Sequence, residues 1–146
     1  MTLVVNSTLA GVTGRVKFLS SKTLTPDGEP QFYGTGTTSF CQVLNSSYTL
    51  KEDVASTSTC FVINANDIAL DCNGFTIDYA ITKQGIGVDI NGKKNVNITN
   101  CVMKANNVNT TANYGVRITA SNNTLIKNNH IFVNGSSAAN GIYITT

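Results

Sequence analysis

A self-similarity at one fixed spacing constrains this chain more than any other feature. Gly87-Val88-Asp89-Ile90 superposes on Gly115-Val116-Arg117-Ile118 at an offset of about 28 residues. The same offset carries Val96-Asn97-Ile98 onto Thr124-Leu125-Ile126, and Asn100 onto Asn128. Upstream, Cys60-Phe61-Val62-Ile63 followed by Ile68-Ala69-Leu70 obeys the template, and downstream Gly141-Ile142-Tyr143-Ile144 obeys it with a slightly shorter period. One unit is copied about four times.

Each copy holds two or three short β-branched runs of period two, such as Ile86/Val88/Ile90 and Val96/Ile98, separated by Asn, Gly, Lys and Ser. None is long enough for a helix. A repeat built of strands alone is neither a leucine-rich repeat, an ankyrin nor a helical solenoid. It fits a parallel β-helix, in which each copy is one coil and like residues stack on like at about 4.8 Å.

The runs Asn66-Asp67-Ile68-Ala69-Leu70-Asp71-Cys72-Asn73-Gly74-Phe75-Thr76-Ile77, Asn95-Val96-Asn97-Ile98-Thr99-Asn100-Cys101 and Asn123-Thr124-Leu125-Ile126-Lys127-Asn128-Asn129-His130-Ile131 resemble the right-handed parallel β-helix repeat family of pectate-lyase-like folds. The likeness covers residues 41–146, with Ser47–Val54 as the lead-in to a first coil. It implies an all-β, right-handed parallel β-helix of about five short coils, found in extracellular and surface proteins. Fold alone does not imply an activity.

Residues 1–40 stand outside the repeat. Thr2–Leu9 and Val12–Leu19 read as strands divided by Gly11 and Gly14, and Ser20–Ser39 reads as loop around Pro26-Asp27-Gly28. A β-helix exposes unpaired backbone at its ends, so this leader is expected either to cap the first coil or to pair with another subunit. The sharper version of that expectation makes Leu3 and Val5, with Ile142 and Ile144 at the far end, the contacts of a head-to-tail homo-oligomer or filament. The competing expectation is a fragment of a larger surface adhesin.

Charged residues are 12% of the 146 and the net charge is +2, too sparse for a phosphate-binding surface, so no nucleic-acid partner is expected. No segment has the length of a membrane span, and Met1–Asn6 lacks the basic and apolar regions of a secretion signal. The four cysteines allow three pairings. Cys41 with Cys60 would close the entry to the first coil, and Cys72 with Cys101 would join successive coils. The second bridge requires a one-residue slip, because Cys72 aligns with Asn100, and buried free thiols are the alternative. With a single histidine and no CxxC pair, no zinc site and no cofactor is expected.

The outward positions follow from the alignment. Val62, Asp89, Arg117 and Tyr143 form one column; Asp67, Asn95 and Asn123 form a second at a turn; Asn100 and Asn128 form a third. Asparagine and aspartate tolerate left-handed backbone and bond along a stack, so these columns read as structural ladders. Six positions satisfy the N-glycosylation pattern: Asn6, Asn45, Asn97, Asn109, Asn122 and Asn134. Chance placement gives roughly four in a chain this rich in Asn, Ser and Thr, so the pattern is weak; Asn109 and Asn134 lead because they fall in longer loops.

Polysaccharide-cleaving relatives of this fold need clustered carboxylates with a nearby basic residue. Here Asp71 aligns with Thr99 and Lys127, Asp89 with Arg117, and no two carboxylates share a column. His130, the only histidine, precedes the apolar pair Ile131-Phe132 where the family this chain resembles commonly has a small polar residue, and the Asp-Asp and Gly-His-Gly motifs of polygalacturonases are missing. No catalytic or metal-binding residue is expected. The expected function is therefore a non-enzymatic extracellular or cell-surface structural module. The alternative is a glycan-binding or polysaccharide-degrading module in which Tyr79, Tyr114 and Tyr143 stack on sugar rings.

Overall fold

The computed structural model describes residues 39–106, 112–135 and 138–146. Among the described residues every regular element is a strand: β1 (Val43–Leu44), β2 (Tyr48–Thr49), β3 (Val54–Ala55), β4 (Phe61–Ile63), β5 (Ala69–Asp71), β6 (Thr76–Tyr79), β7 (Ile86–Asn91), β8 (Lys94–Thr99), β9 (Val102–Ala105), β10 (Tyr114–Thr119), β11 (Asn122–Lys127), β12 (His130–Val133) and β13 (Asn140–Thr145). Every third strand pairs in parallel, giving a first sheet β1-β4-β7-β10-β13, a second β11-β8-β5-β2 and a third β12-β9-β6-β3. This is a parallel β-solenoid. It has three full turns, β4–β6, β7–β9 and β10–β12, below which lies a rudimentary turn of two-residue strands and above which lies β13. Five coils were expected; the count falls because the segment before Cys60 forms only minimal strands and the segment after Asn140 forms only one.

The registers reproduce the repeat. Val88↔Val116, Asp89↔Arg117 and Ile90↔Ile118 pair across β7 and β10, and Ile98↔Ile126 across β8 and β11. Strict period two sends alternate side chains inward, where they stack as columns: Leu44, Ile63, Ile90 and Ile118 in the first sheet, Leu70 and Ile98 in the second, Ile77 and Met103 in the third. All eight are buried. Each such aliphatic side chain contributes about 1.5 to 3 kcal/mol by leaving water. In the last full turn Ile126 and Ile131 are only partly buried, while Ile142 and Ile144 on β13 remain 45% and 66% exposed.

Left-handed residues make the corners. Asp67, Asn95 and Asn123 lie at φ 57, 56 and 54°, and Asn100 and Asn128 both at 56°. The conformation is tolerable there because a short amide or carboxylate can bond locally. Both columns form hydrogen-bonded ladders. Asn95 Nδ2 donates to Asp67 Oδ1 at 2.7 Å and Asn123 Nδ2 to Asn95 Oδ1 at 2.7 Å. In the other, Asn100 Nδ2 donates to Asp71 Oδ1 at 3.0 Å and Asn128 Nδ2 to Asn100 Oδ1 at 3.4 Å.

The disulfides are Cys41–Cys60 and Cys72–Cys101. The one-residue slip at the second is absorbed by the corner itself. Asp71 pairs with Thr99 but Thr76 pairs with Val102, so the lower turn holds the residues 72–75 where the upper turn holds only 100–101. Cys72 leaves β5 and Cys101 enters β9 at the same corner, both fully buried. One turn higher the place of Cys101 is taken by Asn129, which accepts the Cys101 N–H at 2.8 Å and donates to Ile98 O at 2.9 Å.

The reading of residues 1–40 as a leader lies outside the described residues except for Ser39 and Phe40, and so do the candidate contacts Leu3 and Val5.

Candidate functional site on the outer face of the first sheet

The outer column of the first sheet runs Val62, Asp89, Arg117, Tyr143, as the registers of β4, β7, β10 and β13 require. Arg117 grips Asp89 with two bonds, Nε to Oδ1 at 2.9 Å and Nη2 to Oδ2 at 2.6 Å. The side chains are 36% and 14% exposed, so the pair is fixed in orientation but open to solvent. The Asp89 hydrogen bonds hold the guanidinium above its ordinary pKa, against a smaller opposing effect of burial.

A break in the alternation brings a second tyrosine beside this column. Gly115 and Val116 are both buried, so Tyr114 and Arg117, three residues apart, both face out. The break is possible because residue 115 lacks a side chain: a Cβ there would collide with Ile131 Cγ2 on β12 and lie 2.5 Å from Gly141 O. Tyr114 then meets Tyr143 from β13, with ring centroids 4.8 Å apart and planes inclined by 31°. Two aromatic rings and a fixed guanidinium thus form one contiguous outward patch.

Tyr79 does not belong to it. The tyrosine expected at an outer face is fully buried at the end of β6. It follows Ile77 at period two and therefore points inward, where Ala105 stands above it. Its ring also uses the space left by Gly87, whose Cβ would sit 3.3 Å from Tyr79 Cε1. The Tyr79 hydroxyl has no hydrogen-bond partner among the described residues, and burial raises its pKa well above the usual phenol range.

The other sequence candidates are scattered. Cys41, Cys60, Cys72 and Cys101 hold the two bridges. Asn45, Asn97 and Asn122 are exposed, and Asn134 is exposed in the turn after β12; Asn6 and Asn109 lie outside the described residues. Asn45 Oδ1 accepts from Asn64 Nδ2 at 2.8 Å. His130 is exposed at the start of β12. No group of three or more metal-ligating side chains occurs among the described residues.

Every described carboxylate is engaged. Glu52 accepts from the Ser39 N–H, Asp53 from the Thr76 N–H, Asp67 from Asn95, Asp71 from Asn100 and the Asn73 N–H, Asp78 from Asn106 and Asp89 from Arg117. All of these donors except Ser39 and the adjacent Asn73 stand in the turn above.

Comparison with family models, curated proteins and solved structures finds no match. The two disulfides, and the lack of any membrane-crossing helix among the described residues, are compatible with an extracellular protein.

Sequence reasoning missed Asn113. It is the one buried polar residue among those described, and it ties three loops together: Oδ1 accepts the Gly85 N–H at 3.2 Å, Nδ2 donates to Asn134 O at 2.9 Å, and its carbonyl accepts the Asn140 N–H at 3.0 Å. The signal was slight, an Asn two residues before the glycine that recurs as Gly87, Gly115 and Gly141.

Proposed function

We propose that this chain is a non-enzymatic structural module of an extracellular or cell-surface assembly, a right-handed β-helix of the pectate-lyase-like group. In this reading it stacks head to tail with other copies into a filament or surface layer. The observation that carries the non-enzymatic part is the engagement of all six described carboxylates as hydrogen-bond acceptors, five of them from the next turn. A glycosidase or lyase needs carboxylates aimed at a substrate with freedom to trade protons or hold calcium. These are spent on joining coils. Support for stacking comes from β13, whose inward residues Ile142 and Ile144 extend the apolar columns of the turns below while staying exposed. A further coil laid on β13 would continue both the ladder and the columns.

Negative-stain electron microscopy with sedimentation velocity at rising concentration tests the assembly. The native chain is expected to form linear particles, and Ile144→Lys to return them to single chains. A monomer at every concentration overturns stacking. Release of reducing ends from uronate or neutral polysaccharides by the purified chain overturns the non-enzymatic assignment.

A further inference from the structure

From the patch made by Tyr114, Tyr143, Arg117 and Asp89 we infer that the outer face of the first sheet binds a neutral glycan, through the ring face of a pyranose and a vicinal pair of its hydroxyls. This goes beyond a structural role, and it does not depend on the chain assembling.

The aromatic half of the site is the Tyr114–Tyr143 pair, 4.8 Å between centroids. The two rings brace each other, and Tyr143 remains 37% exposed. A pyranose ring presents an apolar face of C–H groups, and a pre-positioned phenol ring offers it a large amphipathic surface with little conformational freedom left to lose. Their hydroxyls supply a donor and acceptor at the rim of the same surface.

The polar half decides the ligand's charge. A guanidinium carries five N–H donors in a rigid plane; Nε and one N–H of Nη2 are held by Asp89, and the remainder have no partner among the described residues. Each Asp89 oxygen accepts one of these bonds and keeps capacity for another. The pair therefore shows a ligand donors and acceptors side by side, with formal charges that cancel. A vicinal diol both donates and accepts, and matches this edge. A uronate carboxylate only accepts; it would meet Asp89 as a like charge and would have to compete with it for Arg117. The aspartate thus converts what would be an anion-binding arginine into a fork for neutral hydroxyls.

Saturation-transfer and chemical-shift titrations of the intact chain test this with cellohexaose and mannohexaose as neutral probes and hexagalacturonate as the acidic one. At least one neutral probe is expected to transfer saturation and to shift Tyr114 and Tyr143 ring signals, with hexagalacturonate weaker. Tyr143→Ala should weaken binding by about tenfold and Tyr143→Phe by far less. Arg117→Lys keeps the charge but not the fork, and should also weaken binding. Leu125→Ala, on the second sheet, serves as the control and should bind as the native chain does. Unchanged β-sheet circular dichroism and melting establish that each variant is folded; should Tyr143→Ala fail to fold, Tyr143→Phe and Arg117→Lys carry the test. Binding to none of the neutral probes, tighter binding of hexagalacturonate, or equal losses in Leu125→Ala and the site variants would overturn the proposal.

Discussion

At Gly115 the absence of a single carbon sets the geometry of the outer face. Gly115→Ala drives a methyl group into Ile131 Cγ2 and against the carbonyl of Gly141; the second of these is backbone and cannot rotate away. The substitution is expected to destabilise the fold by about 1 to 3 kcal/mol and to separate the Tyr114 and Tyr143 rings, measurable by urea unfolding and by loss of ring contacts in nuclear Overhauser spectra. Asp71 provides a pH-dependent counterpart. Its carboxyl is held below the ordinary value of 3.8 first by the Asn100 side chain and then by the Asn73 N–H. Because the folded value is depressed, this stabilisation is present above the ordinary value and disappears as pH falls through the lower folded one. Asp71→Asn should therefore flatten the loss of stability below about pH 4, and an acid limb identical to that of the native chain would remove Asp71 from the account. Not every residue was readable this way. Tyr79, expected on an outer face, is instead taken into the core, where the small neighbours Gly87 and Ala105 of the following turn leave room for its ring.

Strands and turns differed sharply in how much of them the chain revealed. The strand columns were legible because a parallel stack places like on like, so one offset aligns Ile90 with Ile118 and Ile98 with Ile126. The ladders were legible for the same reason, since left-handed corners select Asn and Asp. Corners that change length between turns were harder. The spacing shifts where Asn73-Gly74-Phe75 is looped out, and that shift is what lets Cys72 meet Cys101. An insertion in a turn leaves the strand pattern intact on both sides, so nothing in the apolar periodicity reports it. The patch of Tyr114 and Tyr143 was legible as two tyrosines but not as a pair, because strict alternation would have turned Tyr114 to the same side as Val116. The bridge at this corner spans a sequence separation of 29. Replacing both cysteines by alanine should lower stability by about 3 to 4 kcal/mol if chain entropy dominates, as read from the midpoint of chemical unfolding. A shift of a few tenths would mean that the ladders alone hold the corner.

For the whole molecule, the intact native mass is the most economical check. Two bridges should place it about 4 Da below the fully reduced chain, and any N-linked glycan on Asn6, Asn45, Asn97, Asn109, Asn122 or Asn134 adds discrete monosaccharide-sized increments; a spectrum with neither change would place the chain in a reducing, unglycosylated setting. The engaged carboxylates have a further consequence. Asp53, Asp67, Asp71, Asp78 and Asp89 all accept from the turn that follows them in sequence, and ionised carboxylates can give no proton back. At these carboxylates the side-chain bonding across the stack therefore has a polarity: the earlier winding presents the acceptor, and the next segment arrives carrying the donor. A chain made from its N-terminus can be wound as it emerges from the ribosome, every new loop settling on a template already complete. Chains held on the ribosome through a linker added after Asn106, long enough to span the exit tunnel, should then already protect the β5 and β6 amides from exchange, whereas a chain that winds only when whole would leave them open.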